Sequence, residues 1–534
     1  MQLRLFLILI FFSWNCQLPA QQPPPGNDGK QRTTGLTRGP YLQSLTSNSV
    51  VIRWRTDGPT DSKVMAGTSL TYDITVTDST PVTEHIVTLN NLKPYTRYYY
   101  SIGNSSLMIQ GNADNYFYTA PENGSFVPVR IWATGDFGIG STAQAQVRDA
   151  YLNASQKPTN LWIWLGDNAY SSGTDQEYQS YVFDMYPQPL KQFPLMPAPG
   201  NHDYGNTGFA SQASLTTDAP YFSIFTVPFN GEAGGTPSGT PKYYSYNYSN
   251  IHFISLDSYG SYQTAGSPMY EWLKKDLAHN TQRWTIVYFH HPPYTKGTHD
   301  SDVEVELVSM RENIIPLLES YSVDLVLSGH SHVNERSFLM RGHYGLAGTF
   351  TEEMKVQKEN SDFIKNPPYK GTVYAVCGTS GQSAGPPKPD APMPCMYFND
   401  FTSNCSMVIE VDRDVLNASY LSLDGTIKNQ FSITKTGPTS LVNNGEVSCD
   451  ISYQSDESAI YLSCYATATT SLKAELYNVG GEKISDFKEL PDSIPAGYSL
   501  NQVRLPRNNT GSGMYIFTVQ IGDQLFSRKL MPGK

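Results

Sequence analysis

The segment from Phe126 to Lys435 alternates short apolar runs with stretches of helical character. The apolar runs are VRIWATG, LWIWLG, IHFISLD, WTIVYFHH and VDLVLSGH, and the stretches between them include STAQAQVRDAYLNA, SPMYEWLKKDLAH and ENIIPLLESYS. Strands that are apolar throughout are buried on both faces of their sheet, and helices between them supply that cover. The pattern predicts a layered α/β domain over residues 126–435, the only part of the chain long enough for an enzyme core.

Side chains that can bind metals follow the apolar runs. They are Asp136, Asp167 with Tyr170, Asn201 with His202, His290 with His291, and His330 with His332. Any one of these groups alone is compatible with a polar turn or a hydrogen-bonded core histidine. However, five of the ten histidines of the chain lie here. Because ligands bind beyond the carboxyl ends of strands in layered α/β folds, we expect these side chains to share one crevice.

The residue types in this crevice indicate a two-metal site. Carboxylate, amide and imidazole groups suit hard or borderline cations, and the phenolate of Tyr170 would favour a highly charged ion such as Fe(III) over calcium or magnesium. A structural zinc site is excluded because no thiolate lies nearby in the sequence. Two ions held about 4 Å apart can bind both oxygens of an in-line displacement, which is an arrangement that hydrolyses phosphate esters.

The motifs GDFG, GDNAY, GNHD, VYFH and GHSH resemble, in this order, the five motifs of the purple acid phosphatases, which are calcineurin-like metallophosphoesterases. The resemblance covers about residues 36 to 435, and Tyr170 distinguishes this family from most other metallophosphoesterases. It implies a catalytic β-sandwich flanked by helices. It also implies a secreted acid phosphatase, in which a metal-bound hydroxide attacks phosphate monoesters in line at a binuclear Fe(III)–M(II) centre.

The resemblance implies two metal sites that share Asp167 as a bridging carboxylate. One site would hold Fe(III), and the other a divalent ion that is zinc, manganese or iron. The remaining ligands would be Asp136, Tyr170 and His332 for Fe(III), and Asn201, His290 and His330 for the divalent ion.

Two further histidines match catalytic positions of the family. His202 resembles the substrate-binding histidine, and His299 resembles the histidine that binds phosphate and protonates the leaving group. The plant enzymes carry a second histidine where this chain has Asp300, and we expect that acid to weaken phosphate binding or to shift the pH optimum. His291 and Asp203 are predicted to support the ligands by packing or hydrogen bonding.

The remaining polar residues are expected to have structural roles. Asn168 is predicted to be a turn residue, and His343 a surface histidine. His85, His252 and His279 are also interpreted as structural.

The N-terminus predicts export. In residues 1–20, Arg4 precedes an apolar run that ends near a small residue suited to cleavage, which is typical of a signal peptide. That run is too short to span a bilayer, and no later segment is long enough. Residues 21–36 form a polar, proline-rich linker. We therefore expect a secreted protein, extracellular or at the cell surface.

Two all-β regions flank the catalytic segment. Residues 37–122 contain short alternating runs that predict a β-sandwich with Trp54 in its core, and LKPYTRY, which includes Tyr98, resembles the tyrosine corner of fibronectin type III domains. After a linker at 436–445, residues 446–534 also predict strands. Their motifs resemble the C-terminal sorting domain of type IX secretion cargo in Bacteroidetes, which implies outer-membrane secretion machinery as a partner. A further sandwich module is the alternative.

Five of the six cysteines follow the predicted signal peptide. Cys395 with Cys405, and Cys449 with Cys464, are close enough in sequence to pair in an oxidising compartment. Cys377 lies in an apolar run and is predicted to be buried.

The net charge of the chain indicates which kinds of binding partner are expected. The net charge is −11 and no basic block occurs, which argues against nucleic acid or an anionic membrane as the main partner. Small phosphorylated substrates are expected. Two alternatives stay open: a phosphodiesterase or nucleotide hydrolase with the same centre, and a surface adhesion protein with a vestigial metal domain. The divalent metal, the preferred ester and the oligomeric state are left open.

Overall fold

The computed structural model describes residues 35–530 apart from short gaps. The gaps are 155–156, 206–215, 359–360, 367–368, 383, 437–446, 455–458, 467–468, 479–481, 488–489, 495–496 and 505–514. The predicted signal peptide and nearly all of both predicted linkers lie outside the described residues. In the described part of the chain, no helix combines the length and the apolar character that crossing a membrane requires.

The N-terminal region is a β-sandwich domain. Its strands run in the order β1-β2-β4-β5, with β3 paired to β2. Trp54 is fully buried, and the His85 ring stacks on it at a centroid distance of 4.6 Å. The Tyr98 hydroxyl accepts a hydrogen bond from the Lys93 amide at 3.0 Å. The strands are β1 (Leu36–Gln43), β2 (Val50–Gly67), β3 (Ile74–Leu89), β4 (Arg97–Gly103) and β5 (Met108–Tyr118).

Two seven-stranded sheets form the central region. One has the order β16-β13-β15-β12-β11-β10-β9 and the other β14-β19-β18-β17-β6-β7-β8. The strands are β6 (Val129–Thr134), β7 (Leu161–Trp164), β8 (Leu195–Pro197), β9 (Tyr244–Tyr248), β10 (Ile251–Ser255), β11 (Trp284–Tyr288), β12 (Leu325–Ser328), β13 (Asn334–Ser337), β14 (Asp362–Lys365), β15 (Val373–Cys377), β16 (Met396–Asp400), β17 (Cys405–Asp412), β18 (Val415–Ser422) and β19 (Ile427–Lys435).

Helices cover the outer faces of these sheets. They are α1 (Thr142–Ala154), α2 (Asp175–Tyr178), α3 (Pro187–Leu190), α4 (Pro220–Ile224), α5 (Pro268–His279), α6 (Val305–Ser309) and α7 (Ile315–Ser320), with π-helical turns at Gln179–Phe183 and Met310–Ile314 and 3-10 turns at His202–Tyr204, Ala347–Thr349 and Glu352–Met354.

The strands are buried on both faces, as the apolar runs predicted. Ile163 of β7 and Ile286 of β11 belong to the core between the sheets. On the outer face, Trp132 of β6 stacks on Tyr151 of α1 with ring centroids 4.4 Å apart. Burial of such side chains contributes about 1.5–3 kcal/mol each, so the sheets form a rigid support for the loops at their edges. The predicted layered α/β fold is confirmed.

The C-terminal region is rich in β-structure. It contains the sheets β20-β21-β25 and β23-β22-β26-β27, with β24 paired to β22. Leu462 and Phe517 are fully buried in its core. The strands are β20 (Val447–Gln454), β21 (Ala459–Ala466), β22 (Thr470–Asn478), β23 (Lys483–Asp486), β24 (Ser493–Ile494), β25 (Gly497–Arg504), β26 (Tyr515–Ile521) and β27 (Gln524–Leu530).

The cysteine prediction is right for one pair and wrong for the other. Cys449 and Cys464 form a disulfide between β20 and β21. Cys395 and Cys405 are both free and buried. Their short separation in sequence is misleading because Cys395 precedes β16 in one central sheet, whereas Cys405 begins β17 in the other. Cys377 is free and buried, as predicted.

Candidate metal centre

The carboxyl ends of the parallel strands bring the predicted site residues to one edge of the central region. Strands β6, β7 and β8 are parallel to one another, and so are β10, β11, β12 and β15. The predicted residues follow β6, β7, β8, β11 and β12 within a few positions. Oxygen or nitrogen atoms of Asp136, Asp167 and His290 lie within 4.8 Å of one another. The two sheets therefore contribute to a single site.

The backbone at these strand ends has an unusual conformation. Asp136, Asp167 and His330 have φ angles of 56°, 51° and 65°, in the left-handed region that costs free energy for residues other than glycine. Two glycines allow the close approach of the loops. A Cβ on Gly166 would lie 2.6 Å from Nδ1 of His290, and one on Gly200 would lie 2.2 Å from Oδ1 of Asp167.

Tyr170 joins the two buried carboxylates. Its hydroxyl donates to Oδ1 of Asp136 at 2.8 Å and approaches Oδ2 of Asp167 at 3.1 Å. Burial raises the pKa of Tyr170 well above its ordinary value, and the two carboxylates raise it further. The phenol therefore keeps its proton unless a cation binds between these oxygens.

Histidines supply positive charge next to the carboxylates. Nε2 of His290 lies 3.0 Å from Oδ2 of Asp167. Burial lowers the pKa of His290, but Asp167 and Asp136 outweigh burial and raise it to about 9. Burial opposes ionisation of Asp167, yet His290 holds its pKa well below the ordinary value. Across the described ranges, no Lys or Arg forms an ion pair with Asp136 or Asp167.

Three further histidines surround this pair. Nδ1 of His330 lies 3.3 Å from Nε2 of His290, and the His291 ring lies 4.2 Å from that of His330. His291 is buried and its Nδ1 lies 2.9 Å from Oγ of Ser258. Nε2 of His332 lies 3.6 Å from Oδ1 of Asp136. The predicted histidine ligands thus all lie at the crevice.

The loop after β8 brings Asn201 and His202 to the same crevice. The amide of His202 donates to Oδ1 of Asp167 at 2.8 Å. Its Nδ1 donates to the carbonyl oxygen of Ser171 at 2.6 Å, and its Nε2 lies 3.7 Å from Oδ2 of Asp167. The ring is therefore oriented by Ser171, with Nε2 facing Asp167.

His299 reaches the site from the loop before α6. Its ring lies 3.9 Å from that of His330, and its Nδ1 lies 2.7 Å from Oε2 of Glu304. Sequence reasoning missed Glu304, although a carboxylate partner is a common requirement of a catalytic imidazole. Asp300 forms an ion pair with Lys296 at 2.8 Å, and Lys296 also pairs with Asp302 and Asp390. The effect of Asp300 on phosphate binding or on the pH optimum stays a prediction.

Asn168 and Asp203 support the loops. Asp203 is buried and accepts hydrogen bonds from the Gly200 amide at 2.8 Å and from Nδ2 of Asn168 at 2.9 Å. Nδ2 of Asn168 also donates to the carbonyl oxygen of Ala198 at 2.9 Å. The prediction that Asn168 is only a turn residue is therefore wrong, because its amide ties the loop after β7 to the loop after β8. The supporting role of Asp203 agrees with the structure.

The remaining histidines differ from one another in environment. His85 and His252 are buried and hydrogen-bonded, and His279 is exposed. His343 is fully buried and its ring stacks on Tyr294 at 5.5 Å. The surface prediction for His343 is wrong, since a glycine-rich segment with no apolar period gave no sign that the loop folds inward.

Family models match both the N-terminal and the central regions. A model described as Purple acid Phosphatase, N-terminal domain, matches residues 40–119. A model described as Calcineurin-like phosphoesterase matches residues 129–334. The fold and the strand-end site therefore define a metallophosphoesterase domain that follows a β-sandwich.

Two plant proteins are similar to the chain in sequence. Purple acid phosphatase 15 of Arabidopsis thaliana is 32% identical over 280 residues, which are 47% of this chain and 49% of the relative. A purple acid phosphatase of Glycine max is 28% identical over 337 residues, with coverage of 59% and 67%. These matches make the chain similar to the purple acid phosphatases. It spans about half the length of the first of these relatives.

Solved structures share the fold. A purple acid phosphatase from yellow lupin (Lupinus luteus) seeds matches with a TM-score of 0.58 and 18% identity, covering 74% of each chain. A structure described as PhoD matches with a TM-score of 0.52 and 14% identity, covering 80% of this chain and 89% of the other.

Proposed function

We propose that the protein is a secreted phosphoester hydrolase that cleaves phosphate monoesters at a binuclear Fe(III)–M(II) centre. The observation that carries this proposal is the convergence of Asp136, Asp167, Tyr170 and the surrounding histidines at one strand-end crevice. The matches to a calcineurin-like phosphoesterase model and to a purple acid phosphatase support the reaction class. Export is supported by the predicted signal peptide and by the Cys449–Cys464 disulfide, which is typical of oxidising compartments.

The residues fit a pair of cations. The two buried carboxylates have histidine neighbours but no Lys or Arg partner in the described part of the chain, and bound cations would offset their charge, which is costly to bury unpaired. Tyr170 shares one proton between them, which a ferric ion would replace. Asp167 would bridge the ions. The Fe(III) ligands would be Asp136, Tyr170 and His332, and the divalent ligands Asn201, His290 and His330. When bound, the ions would supply Lewis acidity and lower the pKa of water.

The protein itself would position the phosphate and assist departure of the leaving group. Nδ1 of His202 donates to Ser171 and its Nε2 faces Asp167, so the doubly protonated ring would donate from Nε2 to a phosphate oxygen. Nδ1 of His299 lies against the carboxylate of Glu304, which orients the ring. Its Nε2 would then give a proton to the oxygen of the leaving group. His202 and His299 are thus the proposed catalytic residues.

The Tyr170→Phe variant tests the ferric assignment. We expect the purified parent protein to contain two metal ions per chain and a tyrosinate-to-ferric charge-transfer band in the visible spectrum. The variant keeps the ring but loses the phenolic oxygen, so the band disappears. Tyr181 is a tyrosine outside the proposed ligand set, and Tyr181→Phe is the matched control, which should keep the band. Activity without the band in the parent protein would refute the Fe(III)–tyrosinate centre.

Relative rates on two model esters test the monoester preference. We expect p-nitrophenyl phosphate to be cleaved faster than bis(p-nitrophenyl) phosphate, because a dianionic monoester offers more oxygens to two cations than a diester does. Faster cleavage of the diester would favour the phosphodiesterase alternative. Less than one metal per chain with neither activity would support the adhesion alternative.

A further inference from the structure

The segment that follows Tyr170 determines how two proposed site residues are placed. The carbonyl oxygen of Ser171 accepts the hydrogen bond from Nδ1 of His202 at 2.6 Å. The ring of Tyr170 lies 4.4 Å from the His202 ring. A displacement of Ser171 would therefore move both the phenol and the imidazole.

A single carboxylate closes this segment into a tight loop. Oε1 of Glu177 accepts from the Ser171 amide at 2.6 Å. Oε2 of Glu177 accepts from the amides of Ser172 at 3.1 Å and Thr174 at 2.9 Å. Thr174 caps α2 and accepts in return from the Glu177 amide, so the two residues form a capping box. The conformation of residues 171–174 therefore depends on the position of α2.

The N-terminal sandwich holds α2 through two arginines. Nη1 of Arg38 donates to Oδ1 of Asp175 at 2.9 Å, and its Nη2 donates to the carbonyl oxygen of Asp175 at 3.0 Å. Nη1 and Nη2 of Arg55 donate to the two carboxylate oxygens of Asp175 at 2.6 and 2.7 Å. Both arginines therefore bind Asp175. Arg55 does so in the bidentate geometry that is typical of strong arginine–carboxylate pairs.

The placement of these arginines is costly without an acidic partner. Arg38 and Arg55 are directly paired on the neighbouring strands β1 and β2, and like charges opposite each other destabilise a sheet. Arg38 is also almost completely buried. Asp175 of the catalytic region pairs with both arginines, and Glu84 of the sandwich is a second acidic partner of Arg55. The sandwich thus places two adjacent arginine side chains where they bind Asp175 of α2.

We propose that the N-terminal sandwich positions Tyr170 and His202 for the reaction through the contacts from Arg38 and Arg55 to Asp175, and from Glu177 to Ser171. Asp175 and Glu177 are positioning residues, since neither reaches the carboxylates of the centre directly. The inference rests on the proposed function for its catalytic consequence. The chain of contacts from the sandwich to Ser171 does not depend on which ester is cleaved.

The Asp175→Ala variant of the full-length, metal-loaded protein tests this link. Hydrogen exchange followed by mass spectrometry should show peptides covering Ser171 to Thr174 exchanging at least about tenfold faster, while the central strands are unchanged. The KM for p-nitrophenyl phosphate should rise by about tenfold with a smaller change in kcat, because a misplaced His202 binds phosphate less well.

Asp414→Ala is the matched control. Asp414 also pairs with an arginine, Arg283 at 2.8 Å, and its side chain is 51% exposed against 46% for Asp175. Arg283 precedes β11, so this pair lies at the strand ends away from the site. The control should change neither exchange at Ser171 to Thr174 nor KM.

The results of these experiments distinguish failure of the positioning role from failure of the proposed function. Unchanged exchange at Ser171 to Thr174 in Asp175→Ala, or an equal change in Asp414→Ala, would overturn the positioning role. Faster exchange with an unchanged KM would overturn its catalytic consequence. Absence of phosphoesterase activity in the parent protein would instead overturn the proposed function, and the exchange measurement would still decide whether the sandwich orders the loop.

Discussion

Replacing Asp167 with asparagine should remove at least one of the two metal ions and strongly reduce hydrolysis. Asp167 is buried, and its carboxylate contacts Tyr170, His290 and the His202 amide together. Asparagine has nearly the same shape but no charge, so it cannot bridge two cations as an anion. Two ions contribute several kcal/mol to stabilisation of the transition state, which corresponds to a loss of kcat/KM of about 10³-fold or more.

Metal analysis and steady-state kinetics on the same preparation measure this effect. The metal content should fall from two ions per chain to one or none. Asp414→Asn, an equally conservative change far from the site, should keep both the metal and the activity. An Asp167→Asn protein with two ions per chain and kcat/KM within tenfold of the parent would contradict the bridging assignment.

Replacing His299 with alanine should slow the hydrolysis of esters with poor leaving groups most. If His299 protonates the leaving oxygen, its loss costs about 10²–10⁴-fold in kcat for an alkyl phosphate. The effect should be much smaller for p-nitrophenyl phosphate, because nitrophenolate leaves without a proton. The Glu304 carboxylate, 2.7 Å from Nδ1, orients the ring for this transfer.

A plot of rate against the pKa of the leaving group for both proteins measures this difference. His279→Ala provides the control, since His279 is exposed and its Nδ1 bonds to the Lys275 carbonyl oxygen in its own helix. Its plot should follow that of the parent protein. An equal loss for alkyl and nitrophenyl esters in His299→Ala would show that His299 binds phosphate without acting as an acid.

The strand-end residues were accessible to sequence reasoning because local pattern and tertiary position coincide there. A strand that is apolar throughout and belongs to a parallel sheet has its carboxyl end at a shared edge. Asp136, Asp167, His290 and His330 each lie two or three residues after such a strand, so their convergence was predictable. The burial of Trp54 and Cys377 was predictable for the same reason, since both lie within apolar runs.

The errors arose where side-chain partners are distant in sequence or lie in loops. Asn168 looks like a turn residue, but the structure places its amide against Ala198 and Asp203. His343 lies in a loop without periodicity and is nevertheless buried. Cys395 and Cys405 are close in sequence but are divided between two sheets. In each case the neighbour that decides the outcome comes from another element.

The amino-acid pattern alone therefore determined the layered fold, the edge that carries the site and the chemical type of its donors, because these follow from which residues must be buried and which end each strand. Only the tertiary structure decided which side chains orient those donors. Glu304 beside His299, and Asp175 between Arg38 and Arg55, act through hydrogen bonds whose geometry depends on the packing of separate elements. Such contacts produce no periodic pattern in the sequence, because a single residue at the right position is sufficient to make each of them.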